Sequence, residues 1–155
     1  MNNKSWKTVS ELLGARLGIV FSVAPDDTVL SALERLAEKD VGALVVLEKG
    51  QMVGILSERD CARKLELRGR AAKDTAVRDV MTRDVLYVVP TLTIDRCMAL
   101  MKQDRVRHLP VLDGSKVVGM VSARDILEDA AAEQAHTIRD LERDRLMMTV
   151  NTGSY

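Results

Sequence analysis

The stretch Gly54-Ile55-Leu56-Ser57-Glu58-Arg59-Asp60 returns 65 residues later as Gly119-Met120-Val121-Ser122-Ala123-Arg124-Asp125. The similarity extends outward without a gap, because eleven of the 38 residues in 25–62 recur in 90–127. Many of the remaining positions exchange one aliphatic residue for another, as Val29 and Ile94 do. A constant offset with matching turn and cap residues indicates an internal duplication.

Each copy predicts the same order of elements, β-α-β-β-α. The β-branched runs Ile19–Val23 and Val85–Val89 precede a proline by one or two positions and are typical of strands. Apolar residues then recur at 29, 32, 33 and 36, and at 94, 97, 98 and 101, which is the spacing of one helical face. The strands predicted to form a hairpin in each copy are Leu44–Leu47 with Met52–Leu56, and Leu109–Leu112 with Val117–Val121.

A second helix is predicted to begin at Ser57 and at Ser122, and 126–148 is helical, with Ile138, Leu141 and Met148 at near-heptad spacing. A single unit of about 60 residues buries little apolar surface, so the two are expected to pack together. The fold class is therefore mixed α/β (α+β), with two pseudo-symmetric repeats forming one module. The predicted bounds are 8–67 for the first repeat, 75–130 for the second and 131–148 for a C-terminal helix.

Composition narrows the functional classes. The 155 residues carry zero formal net charge, and aromatic residues make up 3%. A nucleic-acid or membrane partner is therefore not expected, although the basic cluster in 63–73 leaves a local anionic partner open. The two cysteines, Cys61 and Cys97, lie in no CxxC motif, which favours a reducing compartment, and the cytoplasm is the expected location.

The paired motifs carry a family resemblance. Two β-α-β-β-α units that each close with Gly-x-x-Ser-x-Arg-Asp resemble a tandem pair of cystathionine-β-synthase (CBS) domains. Val80-Met81-Thr82 and Arg107-His108-Leu109-Pro110-Val111 are also typical of that family. The chain is similar to small stand-alone bacterial CBS-pair proteins. The resemblance implies a regulatory module that binds adenosine-containing ligands in clefts between the two units.

The chemistry of the motif is consistent with a nucleotide site. Ser57 and Ser122 lie where a strand turns into a helix, so unpaired backbone N–H groups collect there and favour phosphate. The carboxylates of Asp60 and Asp125 could accept hydrogen bonds from two ribose hydroxyls. The same Ser-x-x-Asp pattern is also a capping box that satisfies the helix N-terminus. Capping and ligand contact are compatible.

By resemblance, each cleft mixes residues from both repeats. The cleft at Asp60 is expected to contain Ser57, Asp60, Thr75, Val80, Val106, Arg107, His108 and Arg124. The cleft at Asp125 is expected to contain Ser122, Asp125, Arg59, Val41 and Gly42, with residues around Leu12. Because Gly42 and Ala43 replace Arg107 and His108 at the 65-residue offset, stronger phosphate binding is expected at the Asp60 cleft. The Asp125 cleft is expected to be roomier and less charged.

The leading hypothesis is a non-enzymatic sensor that binds AMP, ADP, ATP or a dinucleotide such as NAD and forms a homodimer. A structural or partner-docking module with vestigial clefts is the main alternative, and a weak nucleotide hydrolase is a third. No catalytic residue, catalytic cofactor or metal site is predicted, because His108 and His136 have no metal-binding spacing and no evident nucleophile partner. The downstream target is not specified by the sequence.

Overall fold

The computed structural model describes the backbone of residues 5–151 and the side chains of residues 5–147. Five α-helices and five strands lie within these residues. The first repeat contains β1 (Ser22–Val23), α2 (Val29–Lys39), β2 (Ala43–Glu48), β3 (Gln51–Ser57) and α3 (Glu58–Lys64). The second contains α4 (Ile94–Asp104), β4 (His108–Asp113), β5 (Lys116–Ser122) and α5 (Ala123–Asn151), and α1 (Val9–Leu13) precedes both.

The predicted helical faces are the faces that α2 and α4 bury. In α2, Val29, Ala32 and Leu36 are buried. In α4, Ile94, Cys97 and Met101 are buried, whereas Met98 is exposed. Each helix has eleven residues and is followed by a residue in the left-handed region, Asp40 or Arg105. The two helices therefore end at equivalent places and direct the chain into equivalent strands.

Both predicted hairpins form, and they share an irregularity. Strand β2 pairs antiparallel with β3, and β4 with β5. The register shifts between Val46 and Leu47 in the first hairpin and between Val111 and Leu112 in the second. These are equivalent positions at the 65-residue offset, so the duplication extends to the backbone.

The first strand of the first repeat is shorter than predicted. Only Ser22–Val23 of the expected run Ile19–Val23 pairs with β2, in parallel. The turn before β1 extends to Ile19, whose N–H donates to the carbonyl of Arg16 at 3.0 Å, so the strand begins later than predicted.

In the second repeat the predicted strand Val85–Val89 is wrong, since only Val88 forms an isolated bridge, to Val111. Pro110 explains the difference: its counterpart Val45 donates its N–H to the carbonyl of Phe21 at 3.2 Å, and proline has no N–H to donate.

The segment preceding each repeat packs on the other repeat. Val9 N–H donates to the carbonyl of Leu92 at 2.8 Å, and Val9 and Leu13 are buried in the core of the second repeat. Conversely, Val29 N–H donates to the carbonyl of Thr75 at 2.9 Å, and Val77 and Val80 lie in the core of the first repeat. This exchange joins the two repeats and brings each preceding segment close to the other repeat's Ser-x-x-Asp motif.

The second helix of the second repeat and the predicted tail are one element. Helix α5 runs for 29 residues, about 43 Å at 1.5 Å per residue. Ile126 is buried against the repeat, whereas Ile138 and Leu141 are exposed. The side chain of Met148 lies outside the described residues. No helix among the described residues has the length and apolar character that crossing a membrane requires.

Candidate functional site

The Ser57–Asp60 motif forms a complete capping box at the start of α3. Asp60 N–H donates to Ser57 Oγ at 3.1 Å, and Ser57 N–H donates to Asp60 Oδ2 at 3.0 Å. The Ser57 hydroxyl also lies 3.0 Å from Asp60 Oδ2. Asp60 Oδ2 therefore caps the N-terminus of α3.

The second oxygen of Asp60 is also occupied. Thr82 Oγ1 donates to Asp60 Oδ1 at 3.0 Å, and Lys64 Nζ forms an ion pair with the same oxygen at 3.0 Å. The side chain of Asp60 is only 12% exposed. A carboxylate accepts about four hydrogen bonds, so these contacts leave little capacity for a ribose hydroxyl.

Asp125 is held less completely. Its Oδ2 accepts the N–H of Ser122 at 2.8 Å, and its own N–H donates to Ser122 Oγ at 3.0 Å. Its Oδ1 accepts a hydrogen bond from Arg16 Nη1 at 3.0 Å, and the Arg16 side chain is 54% exposed. Acceptor capacity remains on both oxygens of Asp125, and Arg16, its ionic partner among residues 5–147, is half exposed to solvent.

A cleft opens beside each motif. The Asp125 cleft has a volume of about 1080 Å³ and the Asp60 cleft about 660 Å³. Both are within or near the range of about 300–1,000 Å³ that small-molecule sites occupy. Among the described residues, four basic and four acidic side chains line the first cleft, and four basic and two acidic side chains line the second. The Asp125 cleft is the larger and has the lower net charge, as expected, but the expected reason is wrong, because Arg107 and His108 line both clefts.

Four residues line both clefts and form a shared wall. They are Gly42, Glu58, Arg107 and His108. A Cβ at position 42 would lie 3.0 Å from His108 Nε2, so the glycine allows the imidazole to pack against the backbone. Burial lowers the pKa of His108 from 6.5, an effect strengthened by Arg107 and opposed by the nearby Asp125 and Glu58 carboxylates. His108 is therefore neutral at pH 7 and can donate or accept a hydrogen bond there.

The family follows from a sequence match that covers both repeats. The model of the CBS domain matches residues 19–67 and 77–132. This chain is a pair of CBS domains. A mitochondrial CBS domain-containing protein of Arabidopsis thaliana, CBSX3, is 37% identical over 121 residues, which are 75% of this chain and 59% of that protein. The chain thus spans somewhat over half of that relative.

Solved structures support the same fold. A CBS domain structure designated NE2398 is 45% identical, with a TM-score of 0.78 and coverage of 82% of this chain and 99% of that one. The CBS domain pair of protein MJ0100, solved in complex with 5′-methylthioadenosine and S-adenosyl-L-methionine, is 20% identical. Its TM-score is 0.73, with coverage of 83% of this chain and 99% of that one. Because the identity is only 20%, the likeness concerns the fold alone.

The clefts of this CBS pair contain most of the residues expected from the sequence. Those lining the Asp60 cleft are Ser57, Asp60, Val106, Arg107, His108 and also Arg59. Those lining the Asp125 cleft are Ser122, Asp125, Val41, Gly42 and also Arg124. The two arginines exchange places relative to expectation: each lies in the cleft of its own aspartate, because it is one residue before that aspartate on the same helix. Of the residues around Leu12, Leu13 lines the Asp125 cleft.

Thr75 and Val80, which were expected in the Asp60 cleft, line neither cleft. Thr75 is 5% exposed, and its hydroxyl donates to the carbonyl of Ala71 at 2.8 Å. Val80 is fully buried in the core of the first repeat. Both residues lie in the segment that packs across onto the other repeat, so they stabilise the core and have no surface to offer a ligand.

Three polar contacts at the aspartates were not foreseen from the sequence. Lys64 follows Asp60 by four residues on α3, a spacing at which ion pairs form on helices, so its contact was available as a signal. Thr82 and Arg16 reach the aspartates through the exchanged segments. Only the glycines that flank Arg16, Gly14 and Gly18, indicated a special turn there.

Both cysteines are buried free thiols. Burial raises the pKa of the Cys61 thiol to about 11, so it is protonated and unreactive at neutral pH. Cys97 is buried in the second core, with its pKa also raised to about 11. Within the described part of the chain, no group of three or more His, Cys, Asp or Glu residues is arranged to hold a metal ion.

Proposed function

We propose that this CBS pair is a non-catalytic regulatory module that binds an adenosine-containing nucleotide in the Asp125 cleft. The candidate ligands are AMP, ADP, ATP and NAD. The observation that carries the proposal is the carboxylate of Asp125, which keeps acceptor capacity beside a helix N-terminus in a cleft of about 1080 Å³. Vicinal ribose hydroxyls are donors of the kind that such a carboxylate accepts.

The surroundings of Asp125 suit the rest of a nucleotide. Arg107 and Arg124 line the same cleft and offer cationic donors for phosphate. Val41, Phe21 and Met120 provide apolar surface for a purine ring, and Val41 is the counterpart of Val106 in the other cleft. The adenosine-containing ligands of MJ0100, which shares the fold, support the same class of ligand here.

We propose that ribose binds more weakly in the Asp60 cleft than in the Asp125 cleft. The lining of the Asp60 cleft is the more basic of the two, which favours phosphate, as expected from the sequence. However, a ribose there would have to displace Thr82 or Lys64 from Asp60 Oδ1. Because His108 and Arg107 border both clefts, a ligand in one changes the wall of the other. A ligand that binds one arrangement of this wall better than another shifts its population, which is the proposed regulatory step.

Calorimetric titration tests this function. AMP, ADP, ATP, NAD and S-adenosylmethionine are titrated separately into the protein, with GMP as the control for base recognition. Saturable heat with at least one adenine ligand, and weaker or absent heat with GMP, is the expected result. Absence of binding by every adenine ligand would overturn the proposal and favour a partner-docking module.

The exposed part of α5 supports the homodimer that is expected of this regulatory module. Beyond the repeat, α5 exposes Ile138, Leu141, Leu146 and Met147, and apolar residues of this kind are typical of contact surfaces. We propose that a second copy of the chain covers part of this helix, giving a homodimer. A dimer mass by light scattering at micromolar concentration is expected, and a monomer would refute this.

The cytoplasm is the proposed compartment, and cell fractionation would distinguish it from an organelle.

A further inference from the structure

Arg16 occupies one acceptor position on the carboxylate that the proposed ligand needs. Its Nη1 lies 3.0 Å from Asp125 Oδ1, the oxygen that does not cap the helix. The arginine is 54% exposed, whereas Asp125 is 16% exposed. Both side chains line the Asp125 cleft. A ribose that approaches this oxygen therefore meets an arginine already bound to it.

At Asp60, Thr82 takes the place that Arg16 has at Asp125. The exchanged segments bring Thr82 to Asp60 and Arg16 to Asp125. Thr82 is a short, neutral donor, and its backbone is paired with Ile55 through two hydrogen bonds of 2.9 and 3.0 Å. Arg16 is a long cation whose guanidinium can leave Asp125 by rotation about its own side chain. The Arg16–Asp125 contact is therefore exchangeable, whereas the Thr82–Asp60 contact is fixed, and Lys64 pairs with the same Asp60 oxygen at 3.0 Å.

The backbone around Arg16 presents the side chain to the cleft. Arg16 ends a short 3-10 turn between Gly14 and Gly18, which have φ of 52° and 96°. Gly18 N–H donates to the carbonyl of Val118 at 2.7 Å and fixes the turn to β5. The backbone of Arg16 is thus fixed, while its side chain remains half exposed to solvent. An exposed ion pair of this kind contributes little to stability and is readily exchanged for a stronger partner.

We propose that Arg16 makes the Asp125 cleft selective for phosphate-bearing adenosine ligands over uncharged adenosine. This inference rests on the proposed function and adds the specificity residue. A nucleotide phosphate draws the guanidinium away from Asp125, because an arginine–phosphate contact is a charge-assisted and often bidentate hydrogen bond. The same movement frees Asp125 Oδ1 for the ribose. Adenosine has no phosphate to draw Arg16 away, so it must compete with the arginine for the carboxylate.

The two ligands predict opposite effects of one substitution. In Arg16→Ala, the dissociation constant of AMP is expected to rise about tenfold to a hundredfold, the range for a hydrogen bond to a charged group. The dissociation constant of adenosine is expected to stay constant or fall by up to about fivefold, since the competing ion pair is gone. Arg16→Lys should retain part of the AMP preference. Arg68→Ala, which removes the same charge from an exposed position outside both clefts and away from α5, is the matched control.

Calorimetry of both ligands with the wild type and these three variants separates the outcomes. Weaker AMP binding with unchanged or tighter adenosine binding supports the selectivity role. An equal change for both ligands, or no change for either, overturns it while leaving nucleotide binding intact. A wild type that binds neither ligand overturns the proposed function, and the inference with it. Circular dichroism and thermal unfolding of Arg16→Ala verify that the variant is folded.

Discussion

Replacing the two equivalent aspartates by asparagine should separate stability from binding. In Asp60→Asn the side chain keeps one oxygen for the Ser57 backbone but presents an NH₂ group to Lys64 and Thr82, which are themselves donors. A lost hydrogen bond to a charged group costs about 1.5–3 kcal/mol. Because Lys64 is a third exposed, the lower half of that range applies, about 2 kcal/mol.

Asp125→Asn removes much less. Its ionic partner Arg16 is 54% exposed, and pairs of that exposure contribute about 0–1 kcal/mol. For a domain of this size, about 2–4 °C of melting temperature corresponds to 1 kcal/mol. We therefore expect Asp60→Asn to lower Tm by about 4–8 °C and Asp125→Asn by no more than about 4 °C.

The binding effects should have the opposite order. Asp125→Asn is expected to weaken AMP about tenfold or more, because the ribose loses a charged acceptor, whereas Asp60→Asn should change it less than about threefold. Scanning calorimetry and isothermal titration on the same two variants give both quantities. If Asp60→Asn abolished AMP binding while Asp125→Asn left it unchanged, the reasoning from carboxylate occupancy would be refuted.

Two further predictions concern the fold and the shared wall. Gly54→Ala should destabilise the protein by about 1–2 kcal/mol, because the new Cβ would lie 2.8 Å from the backbone carbonyl oxygen of Thr82. Gly119→Ala should cost less than about 1 kcal/mol, because its Cβ would meet the movable end of the Leu13 side chain at 2.9 Å. Equal losses of unfolding free energy in urea would contradict this prediction. The unfolded chain protonates His108 near pH 6.5 and the folded chain only at lower pH, so the unfolding free energy should fall as pH drops from 6.5 towards the folded pKa and stay level above 6.5. His108→Gln should reduce that slope, and an unchanged slope would show that His108 is not its source.

The duplication allowed much of the fold to be predicted, because turn and cap residues act locally. Ser57 and Ser122 each follow a strand and cap the helix that begins at the next residue, and the apolar spacing of α2 selects one face. The absence of a regular strand over 85–89 was also predictable in principle, since Pro110 cannot donate to a neighbouring strand.

The exchange of the preceding segments was not predictable from the sequence. The apolar residues around Val9 and around Val77 suit either core, and only the three-dimensional packing decides between them. That exchange is also why Thr75 and Val80 are buried rather than in a cleft, and why Arg16 reaches Asp125. A resemblance transfers positions along the chain, but exposure depends on contacts that are distant in sequence.

A crystal structure of the protein with AMP tests the central claim most directly. The account predicts AMP between the repeats, with its ribose hydroxyls on Asp125, its phosphate towards Arg16 and Arg107, and Arg16 moved away from Asp125 Oδ1. Clefts that stay empty at saturating AMP, or AMP bound with the Arg16–Asp125 contact of 3.0 Å intact, would contradict it.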